Sequence, residues 1–234
     1  MQRDWLTDFK DQCERNLRRS IPDRMRYGFN YVYKPVLDDA DWRVFDSMEE
    51  YRKWCQEELP PYLGYGKTDA VQSRARMRHE TFNPAQAQEV AAAFARHNVD
   101  YMFIGKSGAI LLGYPGTTQD VDVFPSKTPE NGRQIVTALR ELGFEIDDRL
   151  EIEIIKGKDF VQIKNGPFDI DLVFAPDGIE HYDEAKTRMD TSSGFPVLNI
   201  RDIIASKRAA KRDRDLLELP LLEAFRDVYE NRSS

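Results

Sequence analysis

The sequence predicts an α/β (α+β) chain: an N-terminal helical, loop-rich arm over residues 1–81, then a sheet-containing region over residues 82–234. Three observations predict it. From Asn83 onward, stretches with apolar residues at helical spacing alternate with short apolar or strictly alternating runs, as when helices and strands share one sheet. The arm shows no such alternation and instead carries arginines and aromatics, among them Arg15, Arg18, Arg19, Arg24, Arg26, Tyr27, Phe29, Tyr31 and Tyr33. Finally, 234 residues that are 41% hydrophobic suffice for one substantial core with a smaller appendage.

In the arm, the spacing predicts a helix over 5–19 and another over 47–59. Ser47 and Glu50 stand at the spacing of a capping box at the start of the second, and Pro60-Pro61 stops it. Asn83-Pro84 opens a helix that runs to His97, with proline in the first turn, where its missing N–H costs nothing. A short apolar strand over 101–104 ends at Gly105, a helix follows over 107–113, and Pro115 and Gly116 mark a polar turn reaching Gln119. Residues 120–124 alternate acidic and apolar, the period of a strand. An amphipathic helix over 129–143 closes on glycine. Three strand-like runs come next, 151–156, 160–164 and 168–174, and the Gly157-Lys158 and Asn165-Gly166 pairs between them predict hairpin turns. Helices over 201–211 and 215–229 complete the chain.

Composition narrows the function. A formal net charge of -7 argues against a dedicated duplex-DNA binder, which is usually basic. No apolar run reaches the length of a membrane span, and the opening residues lack the apolar segment of a signal peptide, so a cytoplasmic location is expected. Cys13 and Cys55 have no cysteine or histidine near them at metal-ligand spacing and are read as reduced thiols. His79, His97 and His181 have no acidic partner at catalytic spacing and are read as ordinary. Gly64-Tyr65-Gly66-Lys67-Thr68 imitates the end of a P-loop, but the first glycine of that cradle is replaced by Pro61 and a helix, not a strand, leads in.

The informative stretch runs from Ile104 to Phe124. Asp120 and Asp122 lie two apart on a strand, so both side chains share a face while Val121 and Val123 take the other. Adjacent carboxylates repel unless a cation sits between them. Phe168-Asp169-Ile170-Asp171-Leu172 repeats the device. One such pair is what the wet face of an edge strand produces; two pairs, the first preceded by a strand–glycine–helix turn, point to convergence on one spot. Hard oxygen ligands suit Mg²⁺ better than zinc, and paired Mg²⁺ ions serve in-line phosphoryl or nucleotidyl transfer. The turn itself places free N–H groups and a helix N-terminus where a triphosphate can meet them, with Lys106 adding a point charge.

Gly105-Lys106-Ser107, followed about a dozen residues later by Asp120-Val121-Asp122, resembles the signature of the DNA polymerase β-like nucleotidyltransferase superfamily. Thr118-Gln119-Asp120-Val121-Asp122 also resembles the Thr-x-Asp-x-Asp variant of small bacterial members related to antitoxin and phage-defence nucleotidyltransferases. The resemblance spans about residues 82–225 and implies the nucleotidyltransferase fold, a mixed β-sheet flanked by helices. It implies that Asp120 and Asp122 bind two Mg²⁺ ions (Mn²⁺ being the alternative) and that a later strand supplies the third carboxylate. Asp171 fits that place best because an apolar run follows it, and Asp169 is the rival. Gly105, Lys106, Ser107 and Thr118 would belong to the nucleotide-binding side, and Lys207 resembles the lysine that faces the triphosphate. The implied activity is transfer of an NMP from an NTP to an acceptor hydroxyl on RNA or tRNA, a protein or a small molecule, with release of pyrophosphate. The arginine- and tyrosine-rich arm inclines the acceptor toward RNA. Two positions depart from the pattern: Lys106 stands where a second glycine or serine is usual, and Gly116 where arginine is common. They leave open a nucleotide- or protein-binding module of the same fold, antitoxin-like, without turnover.

Overall fold

Local signals set the boundaries of most elements in the computed structural model, which describes residues 5–18, 32–33, 43–44, 82 and 84–232. In chain order these elements are α1 (Trp5–Arg18), β1 (Val32–Tyr33), β2 (Arg43–Val44), α2 (Pro84–Arg96), β3 (Tyr101–Phe103) and α3 (Gly105–Leu112). Then come β4 (Asp120–Pro125), α4 (Pro129–Glu141), α5 (Asp148–Ile155), β5 (Phe160–Ile163), β6 (Asp169–Val173), α6 (Tyr182–Thr187), α7 (Ile200–Ala210) and α8 (Asp213–Asn231). Among the described residues, side chains cap three helix starts: Thr128 accepts from the Asn131 N–H, Asp147 from Leu150 and Asn199 from Arg201. Each satisfies a donor that the first helical turn would otherwise orphan.

The main sheet has the order β3-β4-β6-β5. β3 pairs antiparallel with β4, β4 parallel with β6, and β6 antiparallel with β5, so the sheet is mixed. One face is apolar: Val121 and Val123 of β4, Ile170 and Leu172 of β6, and Val161 and Ile163 of β5 are all buried. Fully burying a side chain of this kind contributes about 1.5–3 kcal/mol, which anchors the polar face behind it. Beyond β3, the Phe103 N–H donates to the Pro196 carbonyl (2.7 Å) and the Leu198 N–H to the Phe103 carbonyl (2.8 Å), covering that edge. α1 packs against α8, with Phe9 edge-on to Tyr114 and Tyr114 edge-on to Phe225 at ring separations of 6.0 and 5.6 Å. Phe9, Cys13 and Leu17 thereby join the same core as the sheet, and burial pushes the Cys13 thiol up to about 12.

The structure departs from the expected elements in four places. Residues 151–156, expected as a strand, instead form the larger part of helix α5 and its C-cap, Lys156. The run Glu-Ile-Glu-Ile-Ile fits either period, and Asp147 decides the matter by capping a helix whose Leu150 and Ile154 lie one turn apart. Gly132 admits α5 against α4, since a Cβ there would stand 2.7 Å from the Ile155 Cα. The misleading residue is Ile152, which is 51% exposed. Gly157, at φ +63, therefore ends a helix instead of turning a hairpin. Asn165-Gly166 does lie between antiparallel strands, with Ile163 opposite Ile170. α3 begins at Gly105, two residues before the expected start, and α6 lies where the sequence predicts no element. The expected helix over 47–59, the 64–68 loop, Cys55 and His79 lie outside the described residues. No described helix is long and apolar enough to cross a membrane.

Candidate functional site

The parallel register of β4 and β6 sets Asp120 opposite Asp169 and Asp122 opposite Asp171. All four carboxylates therefore leave the sheet on the face opposite its apolar side. One oxygen from each of Asp120, Asp122 and Asp171 lies within 4.8 Å of the other two. Asp169 stands apart from this group, half-buried at the start of β6, whereas Asp171 is buried in the middle of that strand. Of the two candidates for a third carboxylate, Asp171 is the one brought to the others.

Crowding leaves these groups electrostatically frustrated. Asp122 is pushed up to about 8, first by burial and then by the charges of Asp120 and Asp171, with Lys207 opposing. Asp171 is pushed up to about 7, by burial and then by Asp120, while a hydrogen bond from Gln162 pulls it down. Asp171 Oδ1 is buried and has no hydrogen-bond partner among the described residues. An unsatisfied buried acceptor costs about 1–3 kcal/mol, more when charged. An all-oxygen set with an orphaned, buried oxygen suits a hard divalent cation, Mg²⁺ or Mn²⁺, and offers no sulfur or nitrogen to zinc.

The neighbouring residues hold this cluster in place. The Thr118 hydroxyl donates to Asp120 Oδ1 at 2.9 Å. The Asp122 N–H donates to Ser107 Oγ at 2.9 Å, and that hydroxyl has one proton for two acceptors, the Ile104 carbonyl at 3.2 Å and Asp122 Oδ2 at 3.3 Å. Ser107 is fully buried, so its side chain supports Asp122 from behind instead of facing the cavity. Gly105 is required twice over. Its φ of +61 belongs to the left-handed region, and a Cβ there would stand 2.5 Å from Asp122 Oδ2. With no side chain in the way, the first N–H groups of α3, at 105–107, are left without hydrogen bonds among the described residues, beside the carboxylates.

Next to this turn lies a half-buried charge network. Lys106 Nζ is 2.6 Å from Glu218 Oε1, and Lys207 Nζ is 3.0 Å from both Glu218 Oε2 and Asp215 Oδ1. Burial alone would lower the Lys207 ammonium, but Glu218 and Asp215 outweigh it and hold it above its ordinary value. The Tyr114 hydroxyl reaches Glu218 at 3.4 Å. Gly116 passes against the buried Tyr114 ring, where a Cβ would come within 2.6 Å of Cε1, so a larger residue cannot enter without displacing a core aromatic.

A cavity of about 830 Å³ opens over the carboxylates. Among the expected site residues, Gly105, Lys106, Thr118, Asp120, Asp122, Asp171 and Lys207 line it, while Ser107 and Asp169 do not. No family model, curated protein or solved structure matches the chain. Phe160, Gln162, Asp215 and Glu218 also line the cavity, and none of them is among the site residues expected from the sequence. Asp215 and Glu218 sit at i, i+3 on α8, a visible spacing whose lysine partners become neighbours only through tertiary packing. His97 is paired with Glu141 and His181 starts α6; neither lines the cavity.

Proposed function

We propose that this chain is a Mg²⁺-dependent nucleotidyltransferase with the nucleotidyltransferase fold of the DNA polymerase β-like superfamily, acting in the cytoplasm. It transfers an NMP from an NTP to an acceptor hydroxyl and releases pyrophosphate. The observation that carries this is the convergence of Asp120, Asp122 and Asp171 within 4.8 Å, from two parallel strands, at the mouth of the Gly105 turn. Those three carboxylates would hold Mg²⁺, two ions by resemblance, with Mn²⁺ as the alternative metal. When bound, the metal supplies charge neutralisation on the phosphates and lowers the pKa of the attacking hydroxyl.

The remaining work falls to the chain itself and consists of positioning and electrostatics. The N–H groups at 105–107 face the phosphates at a helix N-terminus, where negative charge is favoured. Thr118 holds the Asp120 carboxylate, and Ser107 holds Asp122 through its backbone N–H and a 3.3 Å contact to Oδ2, before substrate arrives. Lys106 and Lys207 supply positive charge on the same side.

The test is incubation with each α-labelled NTP and Mg²⁺, alone and with total RNA, followed by separation of nucleic acid, protein and small molecules. Label should appear in one fraction and vanish with Asp120→Asn or Asp122→Asn. No label anywhere, and no Mg²⁺-dependent NTP binding, would refute the proposal. One observation favours the second reading, a binding module without turnover: Glu218 already occupies both lysines that would otherwise meet phosphate. It expects Mg²⁺-dependent NTP binding with no label transfer.

A further inference from the structure

Phe160 is a large aromatic side chain left 49% exposed, on the outer strand of the described sheet. β5 alternates exposed and buried, so Phe160 and Gln162 take one face while Val161 and Ile163 enter the core. The face is that of the carboxylates. Gln162 lies opposite Asp171 in the antiparallel pair, and Phe160 lies opposite Val173, one pleat further on. Phe160 lines the same cavity as the three aspartates. It makes no ring contact with any described aromatic residue.

Its position in the strand order gives it a role. The Gly105 turn leads out of β3 beside Asp122 of β4, and β6 with Asp171 comes next, followed by β5. The carboxylates thus lie between the phosphate-facing turn and Phe160, which is two strands away from β4, roughly 10 Å at the usual strand spacing. Nucleotidyl transfer is an in-line displacement: the acceptor oxygen gives its proton to a carboxylate of the cluster and forms its bond to the α-phosphorus opposite the breaking bond to pyrophosphate, which takes the electron pair. With pyrophosphate leaving on the Gly105 side, the acceptor must approach from the β5 side. We propose that Phe160 is the platform on which the terminal nucleobase of a single-stranded nucleic-acid acceptor stacks, setting its hydroxyl beside Asp171. This rests on the nucleotidyltransferase reading of the same site. An exposed aromatic ring suits such an end because every base offers a π-face to stack on it.

The full chain with Mg²⁺ tests it, using four fluorescently labelled single-stranded homopolymeric 12-mers with free 3′-hydroxyls, and in parallel the four NTPs. Phe160→Ala should weaken binding of the oligonucleotides about tenfold while leaving NTP binding unchanged, and Phe160→Leu should behave like the alanine variant. Phe160→Trp should retain binding, and its indole emission should be quenched on adding oligonucleotide. Because the side chain is exposed, unchanged melting curves for all three variants are expected. Wild-type protein that binds NTP with Mg²⁺ but no oligonucleotide overturns the inference and leaves the enzyme reading standing. So does a Phe160→Ala variant that binds oligonucleotide like wild type, or one that loses affinity only for NTP. Absence of Mg²⁺-dependent NTP binding in wild type instead removes the reading beneath it.

Discussion

Replacing Asp122 by asparagine should make the metal-free protein more stable, although it removes a residue assigned to the active site. Two unit charges 4.8 Å apart, the limit that encloses the three carboxylates, repel by about 3.5 kcal/mol at an effective dielectric constant of about 20. Asp122 faces two such neighbours and is partly compensated by Lys207. Protonation relieves part of the strain, so a gain of about 2–3 kcal/mol is expected at pH 8.5 in EDTA. That corresponds to a rise in Tm of about 4–12 °C for a chain of this size. The sign follows from linkage. Asp122 and Asp171 sit at about 8 and about 7 in the folded state, above the ordinary 3.8, so the folded protein binds more protons than the unfolded chain between about pH 4 and pH 8. Wild-type stability must therefore fall as pH rises through that window, and Asp122→Asn should lose less. At pH 4 the two proteins should melt together. Thermal melts of both at pH 4 and pH 8.5, in EDTA and again in Mg²⁺, decide it. Mg²⁺ should raise the wild-type Tm at pH 8.5 and leave the variant nearly unmoved. An Asp122→Asn protein less stable than wild type at pH 8.5 in EDTA, or a difference independent of pH, would refute the electrostatic reasoning.

Three further outcomes are expected. Asp171→Asn should abolish label transfer and the Mg²⁺-dependent melting shift, while Asp169→Asn should lose about tenfold or less, about 1.4 kcal/mol, because Asp169 lies outside the cluster; steady-state rates with the labelled NTP rank the two, and the reverse order would exchange their roles. Gly105→Ala should cost about 1–2 kcal/mol of backbone strain in urea unfolding and also disorder the metal site, since its Cβ would displace Asp122; full Mg²⁺ response in that variant would contradict the close approach. Glu218→Gln removes the charge that partners two half-buried lysines and should cost about 1–3 kcal/mol in urea unfolding, with Lys207→Met in the same background recovering part of the loss.

Much of the carboxylate site was legible from local spacing. Two residues apart on a strand is enough to put Asp120 beside Asp122 and Asp169 beside Asp171, each pair facing away from its valines or isoleucine, because side-chain direction along a strand depends only on the backbone period. The strand–glycine–helix turn was equally local, since Gly105 and the apolar run before it announce themselves within a few residues. The same logic failed at 151–156, where both periods fit the residues and a single capping aspartate outweighed the alternation.

The sequence by itself therefore determined most of the alternation of helices and strands, the faces of the aspartates and the place of the glycine turn. Only the tertiary structure decided which aspartates meet. β4 and β6 pair in parallel across a long connection, and a shift of one residue in their register would turn Asp171 toward the core and Ile170 toward Asp122. Tertiary packing also brought Glu218 of the last helix to Lys106 at the glycine turn, and Phe160 to the rim of the cavity. Register and helix docking are fixed by how apolar faces fit one another over long separations, and no local spacing encodes that fit.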